Sequence, residues 1–113
     1  MKNYIAIHPG EILREEYLKE YALSAYAIAK ALNVPRTRIE RIVAENSPIT
    51  PDTALRLAYF FDTTAEFWLN MQAAYDVSVL QTEKAGEFAK IDKGSLKKFN
   101  SVDELFDDLY AND

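Results

Sequence analysis

Residues 24–43 narrow the possible folds more than any other stretch, because they read as two short helices joined by a tight turn. Ser24 is the predicted cap of the first, its hydroxyl able to accept from an N–H left orphaned one turn in. Ile28, Ala29 and Leu32 recur at helical spacing and form one apolar face. Pro35 stands where a second helix begins, and proline suits a first turn because its missing N–H needs no partner there. Ile39, Ile42 and Val43 are the predicted buried face of that second helix. Ala29 is small, as two helices crossing at a steep angle require. Asn33 falls in the turn, where φ is often positive, and asparagine tolerates that better than most residues.

This pattern resembles the DNA-binding helix-turn-helix. Counting from Ala25, Ile28, Leu32, Val34, Ile39 and Ile42 occupy its apolar positions. Asn33 departs from it, since glycine is commonest there. An ordinary helical hairpin in an all-helical core is the competing reading.

At 113 residues the chain is expected to form one domain with an appendage. Seven tyrosines and six phenylalanines supply bulk for a small helical core, and the absence of cysteine removes disulfides, thiolate metal sites and thiol nucleophiles. No run approaches the ~18 apolar residues of a membrane span, and the first residues lack the apolar core of a signal peptide. A cytoplasmic location is expected by default. His8, the single histidine, has no second ligand or base cluster beside it, so a structural cap or an exposed turn residue is the expectation.

The formal net charge is −5, but residues 1–100 carry 13 acidic and 13 basic side chains. The excess is confined to Asp103, Glu104, Asp107, Asp108 and Asp113. Lys30, Arg36, Arg38 and Arg41 gather around the second motif helix with only Glu40 among them. A locally basic face and an acidic tail suggest two different partners.

A first helix is expected from Pro9 to about Tyr21, with Leu13, Tyr17 and Tyr21 as its stripe and Ile12 and Leu18 beside them. A fourth starts at Thr50-Pro51-Asp52, its face Ala54, Leu55, Leu57, Ala58 and Phe61. A fifth runs from about Ala65 to Tyr75, capped by Thr63 or Thr64. Phe67, Trp68, Met71 and Tyr75 make it the most aromatic segment and the candidate dimer surface, with Trp68 either core or dimer surface. Beyond Val77 the pattern weakens. Phe88 to Ile91 has the look of a short strand, and Val102, Leu105, Phe106, Leu109 and Tyr110 recur as one side of a short acidic helix.

A helix in the major groove presents its exposed N-terminal side chains to base edges. Arg36, Thr37 and Arg41 hold those positions, with Arg38 and Glu40 at the flanks. Arginine can bond guanine O6 and N7 together, and Thr37 can touch a thymine methyl. Glu40 either accepts from a cytosine amino group or restrains Arg36 and Arg41 through helical ion pairs. Ser24 and the open N–H groups near Thr50 suit phosphates. One such helix covers few base pairs, so a dimer with recognition helices roughly 34–36 Å apart is expected. There is no catalytic constellation, no glycine-rich phosphate loop and no metal-ligand spacing, so neither enzymatic activity nor a cofactor is expected.

The segments 8–18, 49–58 and 64–76 resemble the HigA-type antitoxins and their virulence-associated protein I relatives. The resemblance spans residues 5 to 77 and implies an all-α, five-helix, lambda-repressor-like DNA-binding domain. It also implies a homodimer that binds operator DNA in its own promoter and neutralises a RelE/HigB-like toxin, an mRNA endonuclease. Residues 1–77 are then the DNA-binding and dimerisation domain and 78–113 a C-terminal extension. Ala25, where a polar DNA contact is usual, and Glu45, in a loop that is often basic, depart from the pattern and point to modest operator affinity. The extension resembles toxin-binding tails of other antitoxins, so Phe88, Ile91, Val102, Leu105, Phe106 and Leu109 are the candidate toxin contacts. The alternative is that Leu105, Phe106 and Leu109 fold back onto the helical core. A stand-alone regulator with no toxin, and an interaction module without DNA binding, are the competing functions.

Overall fold

The computed structural model describes residues 5–94 and Leu109. They include α1 (Pro9–Ile12), a π-helical continuation (Leu13–Leu18), α2 (Ala25–Leu32), α3 (Arg36–Val43), α4 (Pro51–Phe61), α5 (Ala65–Glu83) and α6 (Ala85–Phe88), with no strand among the described residues. Met1–Glu83 and Lys84–Asp113 are two compact units; the expected division after residue 77 falls inside α5.

The first helix ends short of Tyr21. Its bonds widen to i→i+5, as from the Lys19 N–H to the Arg14 carbonyl at 3.2 Å. This wider turn brings Leu13 and Leu18, five residues apart, together into the core. Tyr21 lies beyond the helix, 60% exposed, its ring 5.6 Å from that of Phe61.

Four helix ends close in the same way. Ala22, Asn33, Glu45 and Asp62 take φ of 54°, 60°, 63° and 58°. The residue after each donates its N–H five residues back: Leu23 to Leu18, Val34 to Ala29, Asn46 to Arg41 and Thr63 to Ala58, at 2.8–3.0 Å. These are left-handed C-terminal caps built without glycine. The turn expected at Asn33 is one of them.

The N-termini follow the predicted caps. The Ala27 N–H donates to Ser24 Oγ at 3.0 Å and the Thr53 N–H to Thr50 Oγ1 at 3.5 Å. Of the two threonines before α5, Thr64 is the cap, accepting from the Phe67 N–H at 3.1 Å. Thr63 instead accepts from the Trp68 indole N–H at 2.9 Å, which satisfies the only polar atom of a fully buried side chain.

The core joins Leu13, Leu18, Ile28, Leu32, Ile39, Ile42, Ile49, Leu57 and Trp68. Val43 and Phe61 are half-buried, and Leu55, expected on the inner face of α4, is 52% exposed. Leu55 stands beside Ala54 in sequence, and a helix can turn only one stripe inward. The fifth helix continues eight residues past Tyr75, to Glu83. Ser78 on that extra length is buried and accepts from the Ala6 N–H at 2.9 Å, which ties the segment before α1 to α5. Gln72 is buried too, its amide oxygen accepting from the Ile49 N–H at 2.7 Å.

In the second unit the expected strand at Phe88–Ile91 is replaced by local bonds. The Phe88, Ala89, Lys90 and Ile91 N–H groups donate to Lys84, Ala85, Glu87 and Phe88 carbonyls at 3.0–3.1 Å. No ladder partner is needed once those groups are satisfied. Leu109 is helical and exposed; the rest of the expected acidic helix, with Val102, Leu105 and Phe106, lies outside the described residues.

Candidate nucleic-acid interface

The recognition helix is held from behind. Ile39 and Ile42 of α3 are buried with Ile28 and Leu32 of α2, and Ala29 of α2 is buried in the same core. The helical repeat then turns Arg36, Thr37, Glu40 and Arg41 outward, and all four are exposed. The opposition of aliphatic and cationic faces expected from spacing is therefore present in the fold.

Both motif helices have their C-terminal carbonyls capped by arginines from outside the motif. Arg56 of α4 donates to the Leu32 carbonyl at 2.9 Å. Arg14 of the π-helical segment donates to the Val43 carbonyl and lies 3.3 Å from Glu45. A guanidinium at a helix C-terminus meets the negative end of the macrodipole. Glu45, expected to weaken backbone binding, is thus partly neutralised within the chain. Gly10 completes the support: its backbone lies so close to α3 that an added Cβ would sit 1.8 Å from the Ile42 carbonyl oxygen.

The basic side chains differ in what holds them. Arg36 lies 3.4 Å from Glu40, one turn on, with both side chains about half or more exposed. An exposed pair of that length is weak and yields readily to another anion. Arg41 is exposed and has no ion-pair partner among the described residues. Arg38 is engaged more closely, its guanidinium 2.5 Å from Asp52 Oδ2. Arg56 reaches the same oxygen at 3.0 Å. Arg56 first, and Arg38 second, hold the Asp52 carboxyl below the usual carboxylate range.

An open cleft of about 500 Å³ runs beside α3, lined by Thr37, Arg38, Arg41, Ser47, Thr50 and Asp52 among others. On the other side of α3, Tyr26, Lys30, Asn33 and Arg36 line a second hollow. Ser24 and Thr50 are exposed, and each hydroxyl accepts one backbone bond; the Thr50 hydroxyl also donates to Thr53 Oγ1 at 3.4 Å. The surface thus gathers the sequence-derived candidates Ser24, Arg36, Thr37, Glu40, Arg41 and Thr50, with Arg38 turned to Asp52. The roles of Asp52, Arg56 and Arg14 were not read from sequence, since their partners lie 14, 24 and 29 residues away. Tyr26 is exposed on this surface too, and its place at the second position of α2, close to the capping Ser24, is the sequence signal that marks it.

His8 is the helix cap and not an exposed turn residue. Its Nδ1 accepts from the Gly10 N–H at 2.8 Å, and its ring packs edge-on to Tyr75 at 4.7 Å. Burial pushes its pKa down from 6.5, against the opposing charges of Glu45 and Asp76. Of the four aromatic and thioether side chains proposed for a dimer surface, Trp68 is fully buried in its own protomer and packs there against Tyr17 and Phe67. Phe67 is 39% exposed, while Met71 and Tyr75 are half-buried. Phe88 and Ile91 are exposed in the second unit. No group of three or more potential metal ligands occurs among the described residues, and no described helix is long and apolar enough to cross a membrane.

No protein-family model matches the chain. Individual relatives do. Virulence-associated protein I of Dichelobacter nodosus is 60% identical over 79 residues, covering 70% of this chain and 73% of that protein. Antitoxin HigA-1 of Vibrio cholerae is 34% identical over 68 residues, covering 60% of this chain and 64% of that protein. Among solved structures, the Pseudomonas aeruginosa antitoxin HigA with the higBA promoter superposes with a TM-score of 0.75 at 40% identity, covering 77% of this chain and 96% of that one. With the motif seated as described and with relatives of this similarity, the chain belongs to the HigA-type antitoxin family of helix-turn-helix proteins.

Proposed function

We propose that this protein is the antitoxin of a type II toxin–antitoxin pair. In this reading it binds operator DNA in its own promoter as a homodimer, represses its operon and neutralises a RelE/HigB-like mRNA endonuclease in the cytoplasm. The observation that carries the reading is the face of α3. Arg36, Thr37 and Arg41 are exposed together above Ile39 and Ile42, which fix the helix from behind. A related HigA was solved with promoter DNA, which supports the same use of this surface here. Ser24 and Thr50 are the proposed phosphate contacts and Glu40 a flanking base contact. Phe67, Met71 and Tyr75 are the proposed dimer contacts.

The C-terminal extension, 78–113, is the proposed toxin-binding segment. Its acidic side chains complement the basic surface expected of an RNA-cleaving toxin. Co-expression of the full chain with the product of the neighbouring gene, followed by co-purification, tests the pairing. A 1:1 or 2:2 complex that suppresses the neighbour's mRNA cleavage is expected. Failure to co-purify, with promoter binding retained, leaves a stand-alone regulator. Truncation after Lys98 is expected to weaken the toxin complex by at least tenfold; unchanged affinity would remove the tail from the interface.

A further inference from the structure

We propose that Asp52 is a specificity-determining residue that touches no DNA: it withholds Arg38 from the phosphates and braces α3 against α4. The inference rests on the operator-binding reading above. Asp52 Oδ2 accepts from Arg38 at 2.5 Å and from Arg56 at 3.0 Å, while Arg56 also donates to the Leu32 carbonyl at 2.9 Å. One carboxylate therefore ties α3 to α4, and through Arg56 to the end of α2. Arg38 lines the same cleft as Thr37, Arg41 and Thr50, so it stands at the mouth of the surface that meets a duplex.

Binding to an arbitrary duplex is almost entirely phosphate neutralisation and counterion release. A guanidinium held by a carboxylate of its own chain releases no counterion from DNA. Base reading by Arg36, Thr37 and Arg41 does not pass through Asp52. Holding Arg38 back therefore lowers affinity for all sequences alike and leaves base reading untouched; discrimination comes from the second effect of the same carboxylate. The brace also fixes α3 against α4, which the operator complex needs and a sequence-independent complex does not.

The test uses the full chain and two duplexes of equal length and composition, one carrying its promoter and one scrambled. Affinity is measured against salt for wild type, Arg38→Gln, Asp52→Asn, Asp52→Glu and the double variant Asp52→Asn/Arg38→Gln, each first checked for helix content. Arg38→Gln is expected to leave the scrambled-duplex salt slope unchanged. Asp52→Asn is expected to steepen it by about 0.9, one phosphate, and to tighten scrambled binding several-fold at about 0.1 M salt, with a smaller gain on the promoter. Asp52→Glu keeps wild-type behaviour, and the double variant returns the slope to wild type. A slope that falls by about 0.9 in Arg38→Gln makes Arg38 a phosphate contact already and overturns the inference. So does a steepening in Asp52→Asn that persists without Arg38, which is the loss of a negative charge alone. Should Asp52→Asn lose its helix content, the Arg38→Gln slope still decides. If the wild-type chain shows no salt-dependent binding to either duplex, the operator reading fails and takes this inference with it.

Discussion

A β-carbon on Gly10 would lie 1.8 Å from the carbonyl oxygen of Ile42. The obstacle is backbone, which cannot rotate away as a side chain can. The first helix therefore docks on the end of the recognition helix at a distance only glycine permits. Gly10→Ala is expected to destabilise the fold by about 3 kcal/mol, at the upper end of overpacking costs. Thermal unfolding of the variant checks it, and a change below about 1 kcal/mol would show that the two helices separate easily.

Ala22 holds a left-handed conformation, φ 54°, at an exposed position. A side chain there costs about 1–2 kcal/mol. Glycine removes that strain but adds about 0.4–1 kcal/mol of unfolded-chain entropy. Ala22→Gly is therefore expected to stabilise the protein by about 0.5–1 kcal/mol, read as a higher urea midpoint at unchanged slope.

The buried His8 cap titrates in a definite direction. Burial lowers its pKa from 6.5, so the folded chain favours neutral imidazole and binds fewer protons than the unfolded chain. Its stabilising contribution is complete above pH 6.5 and is lost as the pH falls from there through the lower folded value. Protonation also removes the lone pair that accepts from the Gly10 N–H. Stability of the wild type should drop between about pH 7 and 5, while His8→Asn, which keeps a capping oxygen and does not titrate there, should show a flatter profile.

Arg41 is exposed on the face of α3, whereas Arg36 has Glu40 to leave. Arg41→Gln is expected to cost about 1–3 kcal/mol of operator affinity and to relax preference at the base it reads. Fluorescence anisotropy on the promoter duplex and on single-base variants measures both. An equal loss on all sequences, with a shallower salt slope, would make Arg41 a phosphate contact instead.

Much of this interface was legible before any coordinates. The caps at Ser24 and Thr50, the turn at Asn33 and the aliphatic backing of α3 are local: each depends on residues within a turn or two, so spacing exposes them. The length of α5 was not legible, because its last eight residues carry no apolar stripe; polar Ser78 is the one buried there. The strand expected at Phe88–Ile91 failed for the converse reason, a run of strand-like residues whose backbone found nearer partners. Trp68 was left between core and surface by its sequence and is decided by Thr63, Tyr17 and Phe67 around it.

By itself, the order of residues determined that two helices meet at Asn33 and that the second carries cations opposite isoleucines. Periodicity and capping act over a few residues, and the chain states them directly. Only tertiary structure decided which of those cations stay available. Arg38 is taken by Asp52 while Arg41 is left exposed, because ion pairs form between side chains that packing brings together, whatever their separation along the chain.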